Sequence, residues 1–185
     1  MNCLRCITVF VELLLFSSFV YVLANWFVKQ QDGLERIELK LIKIVGLLAM
    51  LAHICASVWY PFPNPIIFTI GIVLLILSGC LFITTYNTFK KNPPAVAFST
   101  IITTELKTQG PYKFIRHPFY TSYSLAWLGG AFATGCWWLI FFFFVLGIIY
   151  YKAAKEEEQQ WLQGNSASLY ASFIKTTGMF FPKLF

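Results

Sequence analysis

Long apolar runs alternate with shorter polar segments along the whole chain. The first run is Ile7 to Val28, the second Ile44 to Tyr60 and the third Ile66 to Tyr86. At about 1.5 Å per residue, runs of this length reach across a hydrocarbon core of about 30 Å. Lys29 to Lys43 and Asn87 to Arg116 are polar connections, and Pro61-Phe62-Pro63-Asn64-Pro65 is a tight, uncharged break. Pro118 to Tyr151 is 34 residues without a charge. As one helix it would be about 51 Å long, too much for one crossing. Gly129-Gly130 and Thr134-Gly135 fall near its middle, so the pattern predicts two short helices joined there. The tail from Lys152 is polar, then apolar again at Met179-Phe180-Phe181, and reads as an amphipathic segment lying on a membrane. The expected fold is an all-α integral membrane bundle of about five transmembrane helices in one domain, 1–185. Residues 1–86 form three scaffold spans and residues 87–185 carry the function.

Composition strengthens this reading. Of 185 residues, 58% are hydrophobic and 12% charged, against about 45–50% and about 25% in soluble domains. A cleavable signal peptide is the rival for the first run, with Arg5 before it and Val22-Leu23-Ala24 near its end. The run is long for one and continues through Trp26-Phe27-Val28, which favours a retained helix. Glu12 and His53 lie inside apolar runs. An intramembrane carboxylate faces the bundle interior and finds a partner. Glu12 is therefore expected to pair with His53 or a hydroxyl for structural reasons, ahead of a role in a substrate site.

Charge sets the topology. The net charge is +6, but the basic residues are scattered over loops, so no nucleic-acid partner is expected. With five spans, one side holds only Arg5. The other holds Lys29, Arg36, Lys40, Lys43, Lys90, Lys91, Lys107, Lys113, Arg116, Lys152, Lys155, Lys175 and Lys183, all but one of the 14 basic residues. Basic loops stay inside, which puts the C-terminus in the cytoplasm. The five cysteines are odd in number and three lie in apolar runs, so no disulfide framework is expected. Cys3-x-x-Cys6 lacks a second ligand pair, and no metal site is expected.

The chemistry-bearing stretch is Thr108-Gln109-Gly110-Pro111-Tyr112-Lys113-Phe114-Ile115-Arg116-His117-Pro118-Phe119-Tyr120. Pro118 suits the first turn of a helix and keeps His117 extended, so Arg116 and His117 sit at a helix mouth. Such a mouth offers unpaired N–H groups to an anionic ligand group. A second polar cluster, Lys155-Glu156-Glu157-Glu158, lies beyond the hydrophobic hairpin, which returns the chain to its starting side. Arg, Lys and Tyr at a membrane boundary also serve as plain anchors; it is the second cluster that points to a site. Nucleotide-binding glycine motifs and a Ser–His–Asp set are absent. The set suits a zwitterionic cofactor with a positive centre, such as S-adenosylmethionine. The helix mouth would take its carboxylate, a glutamate its ammonium or ribose, and Tyr112 and Tyr120 its sulfonium.

These residues resemble the isoprenylcysteine carboxyl methyltransferase family and its relatives, the membrane phospholipid methyltransferases. The resemblance rests on Leu106, Thr108, Gly110, Tyr112, Arg116-His117-Pro118 and Tyr120, then Glu158, Leu162, Tyr170, Phe173 and Phe181-Pro182, over about the last 80 residues. It implies an S-adenosylmethionine-dependent methyltransferase with a cytoplasmic donor pocket in 87–185. Thr104, Glu105, Leu106, Lys107, Tyr112, His117, Pro118, Phe119, Tyr120 and Glu158 would line that pocket. The chain departs from the family pattern at Thr104 (often His), Ser122 (commonly Gly) and Gln159 (the second Glu of the E-E pair in an ungapped match). A substrate-binding Arg of the isoprenylcysteine enzymes falls on Ala154. Lys155, Lys152 or Arg116 is expected to replace it and hold a lipophilic carboxylate, such as a prenylated cysteine. The alternatives are a phospholipid head-group amine as acceptor, an NADPH-dependent reductase of the sterol type with a similar Arg-His-Pro-x-Tyr region, and a non-enzymatic scaffold.

Overall fold

The computed structural model describes residues 2–22, 37–89 and 106–183. The chain is an all-α integral membrane bundle. Its helices are α1 (Asn2–Val22), α2 (Ile37–Trp59), α3 (Pro65–Phe89), α4 (Pro118–Thr134), α5 (Ile140–Gln163) and α6 (Ala167–Thr176). Short 3₁₀ turns at Gly110–Lys113 and Trp137–Leu139 lead into α4 and α5. Among the described residues the one β feature is an isolated parallel bridge between Ile115 and Gly178.

Among the described residues, three helical segments are long and apolar enough to cross a membrane: Leu39–Trp59, Pro65–Thr88 and Trp137–Gln163. The apolar part of α1, Cys6–Tyr21, is shorter, and α4 has 17 residues, about 25 Å. Five helices stand where five spans are expected, three of them with the length and apolarity to cross a membrane; residues 23–28 of the first expected span lie outside the described residues. Two boundaries differ from the sequence pattern because a polar residue does not end a helix whose apolar spacing continues. Helix α2 starts at Ile37, seven residues before the apolar run, since Leu39 and Ile42 are buried on one face while Lys40 is exposed. Helix α5 runs beyond Tyr151 to Gln163, with a buried stripe of Leu146, Tyr150, Ala153, Ala154 and Glu158. Trp137–Gln163 spans 27 residues, or about 40 Å, so its last turns extend past a core of about 30 Å.

Helix α4 is the centre of the bundle. It carries no charge and is buried on most of its surface, packing most extensively on α3 and also on α1, α2 and α5. Around it Phe16, Phe19, Phe82, Phe119, Tyr123, Trp127 and Tyr150 form one aromatic core. The expected Gly129–Gly135 turn is confined to its last residue. Gly135 ends α4 in the left-handed region at φ 67°, a conformation that suits glycine. Gly129 and Gly130 lie inside the helix and act through the absence of a side chain. A Cβ on Gly129 would come within 3.0 Å of the Leu75 backbone in α3, and one on Gly130 within 2.3 Å of the His53 ring in α2.

The two ends of the bundle differ in chemistry. One gathers Thr8, Ser57, Tyr60, Pro61–Pro63 and Thr134 around a small, shallow recess, with exposed Trp59, Trp137 and Trp138 nearby. Aromatics of this kind mark a membrane–water boundary. The other end gathers Arg116, His117, Glu157, Glu158 and the strand-like segment after α6. Helix α6 buries Tyr170 and Phe173, with Tyr170 stacked on Trp161 at 5.6 Å, and leaves Leu169, Ser172 and Lys175 exposed.

Candidate active site

Pro118 begins α4 as its first residue. His117 before it is not extended as expected: its ψ of 62° at φ −124° falls short of the β region and turns its carbonyl into the helix, where Thr121 N–H donates to it at 3.1 Å. The approach to this mouth is held from the far end of the chain. Arg116 N–H donates to Gly178 O at 2.8 Å and His117 N–H to Met179 O at 3.1 Å, while Gly178 N–H donates to Phe114 O at 3.1 Å. Thr121 Oγ1 donates to Phe180 O at 3.0 Å. The segment 177–180 is thus a strap across the mouth, bonded through its backbone and tight enough that a Cβ on Gly178 would come within 1.7 Å of Phe181 O.

Helix α5 brings two carboxylates to the same place. Arg116 Nε donates to Glu158 Oε1 at 2.7 Å, and Arg116 Nη1 donates to Thr177 O. The His117 Nε2 atom lies 3.3 Å from the same Glu158 oxygen, and Nδ1 lies 3.4 Å from Glu157 Oε2. Tyr120 Oη donates to Glu157 Oε1 at 2.6 Å. The Tyr120 ring stacks on both His117 (5.7 Å) and Tyr150 (5.3 Å). Arg116 and Glu158 side chains are each 8% exposed and Glu157 is 25% exposed. Burial alone would lower the His117 pKa, but the hydrogen bonds and charges of Glu157 and Glu158 outweigh it and raise it above the usual histidine value. Tyr112 is half-buried, and its phenol is pushed well above the ordinary tyrosine range by burial and by the nearby Glu157 charge.

The structure brings Arg116, His117, Tyr120 and Glu158 together, with Tyr112 close enough to feel the Glu157 charge. Pro118 opens the helix, and Phe119 packs in the aromatic core against Phe82 and Tyr123. Leu106 and Lys107 are half-buried at the start of the same approach. Thr104 and Glu105 lie outside the described residues. Lys152 and Lys155 are not brought to the cluster. Both are exposed, on the side of α5 turned away from buried Leu146 and Tyr150, and Lys155 lies over the Tyr151 ring at 5.8 Å. The 100° step of a helix places positions 152 and 155 outward once Leu146, Tyr150 and Ala154 face inward. Arg116 is at the mouth, but its guanidinium is engaged by Glu158 and Thr177. Of the three cations expected for a carboxylate acceptor, Arg116 is thus engaged at the mouth and the two lysines face outward.

The reading from sequence also missed Glu157. The acidic pair facing the mouth is Glu157-Glu158, one position earlier than the ungapped pair Glu158-Gln159. Extending the apolar spacing of Leu146, Tyr150 and Ala153-Ala154 by one further turn would have selected positions 157 and 158. No signal in the sequence pointed to the strap, since its contacts are made by backbone atoms.

The donor set fits S-adenosylmethionine. Two carboxylates face the mouth for an ammonium or ribose, the first turn of α4 presents N–H groups for a carboxylate, and the Tyr112 ring stands beside them. The Tyr120 ring, already stacked on His117 and Tyr150, acts through its hydroxyl.

Comparison with known families matches residues 66–166 to phospholipid methyltransferases, from α3 to the end of α5 and the turn after it. Comparison with curated proteins yields no match.

Proposed function

This chain belongs to the phospholipid methyltransferase family, and we propose that it methylates the head-group amine of a membrane phospholipid at the mouth of α4. Membership makes the chain a membrane methyltransferase and sets aside the reductase and scaffold alternatives. Members of the family use S-adenosylmethionine, which supplies a methyl group on a positively charged sulfur. His117, Tyr112, Glu158 and the first turn of α4 would hold that donor.

The observation that carries the choice of acceptor is the electrostatic balance of the cluster. Its cations are committed to Glu157 and Glu158, and the more exposed member is a carboxylate, Glu157. A head-group ammonium meets an acceptor there, whereas a carboxylate substrate meets a like charge. Glu157 would accept the ammonium proton and leave the nitrogen lone pair ready for attack. Tyr120 fixes the Glu157 rotamer through its 2.6 Å bond, and Arg116 keeps Glu158 in place. A lipid can present its head group sideways at this end while its tails remain among the exposed apolar side chains of the bundle. We also assign this end to the cytoplasmic side, supported by the basic residues that gather there.

The test uses purified protein in lipid nanodiscs with labelled donor, offered a phosphatidylethanolamine-type amine and a prenylcysteine analogue. Methyl transfer to the amine, lost in Glu157→Gln while donor binding persists, is expected. Transfer to the carboxylate alone would overturn the proposal.

A further inference from the structure

A second buried Glu–His cluster lies away from the active site. Thirteen residues of α4 separate His117 from Gly130, about 20 Å along the helix axis. There Glu12 of α1 and His53 of α2 meet over the bare backbone of Gly130, and all of their side-chain surface is buried. Ser57 Oγ donates to Glu12 Oε2 at 2.7 Å. The other carboxyl oxygen, Oε1, lies 3.9 Å from His53 Nδ1, and neither atom has a hydrogen-bond partner. His53 Nε2 is also unpartnered. Phe16 and Trp127 pack around the ring at 6.1 Å and 5.7 Å. Ser57 lines the recess beneath Pro61–Pro63, so the cluster has a polar approach from that end.

We propose that Glu12, His53 and Ser57 form a proton-binding site, in which one proton resides on Glu12 Oε1 and is directed at His53 Nδ1. The argument rests on geometry and on charge in a dry core. A carboxylate facing a charged ring across 3.9 Å, with no hydrogen bond between them, would bury two charges whose attraction repays little of their desolvation. A proton on Oε1 makes the pair donor and acceptor, and Ser57 satisfies the second oxygen. Two protons would leave the pair positive and none would leave it negative, and either net charge is costly where no counter-charge is at hand. Among the described residues, those packed on the ring or lining the recess beside Ser57 carry no charge: Thr8 and Phe16 from α1, Ala56 from α2, and Trp127 and Thr134 from α4. The titratable side chains nearest the pair are Tyr60 at the recess and Cys136 beside Ala56 and Ala131. The site makes the end of the bundle opposite the active site responsive to pH, independently of methyl transfer.

Two measurements test it. Unfolded, Glu12 ionises near pH ~4.3; folded, it keeps its proton. The ratio of the folding constants of wild type and Glu12→Gln should therefore fall about tenfold per pH unit between about pH 5 and 7.5, and contributions from the His117 cluster cancel in that ratio. A ratio independent of pH would overturn the proposal. Infrared spectra of the wild type in nanodiscs at pH ~8, where exposed carboxyls are ionised, should retain a protonated carboxyl band. Ser57→Ala should shift it by removing the bond to Oε2. Absence of the band would overturn the proposal even if Glu12→Gln failed to fold.

Discussion

Two Glu–His clusters occupy opposite ends of one helix bundle, and they differ in what surrounds them. At the mouth of α4, His117 faces two carboxylates, and Arg116, Tyr120 and the backbone of the strap complete a charged network. Deep between α1, α2 and α4, His53 faces one carboxylate, one serine hydroxyl and aromatic rings. The same pair of residue types is thus suited to ligand chemistry in the first place and to holding a neutral, proton-bearing pair in the second. Supply of counter-charge, rather than burial, separates them, since both histidines are buried.

The largest expected effect comes from unbalancing the first cluster. Arg116→Ala leaves Glu158 buried with His117 alone. Removing one partner of a buried ion pair typically costs about 3–5 kcal/mol, and denaturant titration should show a loss of this order together with loss of methyl transfer. Arg116→Lys should recover part of the stability, because it restores the charge without the second donor to Thr177. A loss below about 1 kcal/mol for Arg116→Ala, within the range of surface pairs, would mean that the network is held by the strap and not by the ion pair.

Next comes the second cluster. Gly130→Ala would place a methyl 2.3 Å from His53 Nδ1 and 3.0 Å from Glu12 Oε1. Overpacking of this kind costs about 1–3 kcal/mol. The cost should shrink when His53→Ala is made in the same chain, and a double-mutant cycle measures that coupling. Additive effects would show that α4 is held elsewhere.

A smaller effect separates the two histidines by titration. The His117 pKa is raised by Glu157 and Glu158 against the opposing effect of burial. A raised histidine contributes stability that is fully present below its unfolded pKa of about 6.5 and is lost as pH rises through the folded value. Ring-labelled protein should show the His117 signal titrating above pH ~6.5, with the His53 signal identified by its loss in His53→Asn. Glu157→Gln should move the His117 midpoint down. An unmoved midpoint would place the controlling charge on Glu158 alone.

The smallest expected effect is at Lys155, which lies over Tyr151 on the exposed face of α5. Lys155→Ala should change stability by less than about 0.5 kcal/mol and leave amine methylation unchanged. Loss of methyl transfer in that variant would restore the carboxylate-acceptor reading and erase the contrast drawn between the inner and outer faces of α5.

Much of this protein was legible in its sequence, because the relevant signals are local. Apolar run lengths, the Pro61–Pro65 break and the uncharged stretch after Pro118 specify membrane helices and their order. The motif Arg116-His117-Pro118-x-Tyr120 specifies a helix mouth with charge at it, and Glu12 inside an apolar run demands a partner. What the tertiary structure decided depends on residues far apart in the chain. Glu12 meets Ser57 across 45 positions, and Arg116 meets Thr177 across 61. The strap closes over the mouth through backbone groups that every residue carries. Glu157 instead of Gln159 joins the cluster because α5 continues its helical phase through a polar stretch. Gly129 and Gly130, which look like a turn in a one-dimensional pattern, permit the close approach of α4 to its neighbours. A glycine's φ freedom and its missing side chain are the same letter in a sequence, and only packing shows which of the two is used.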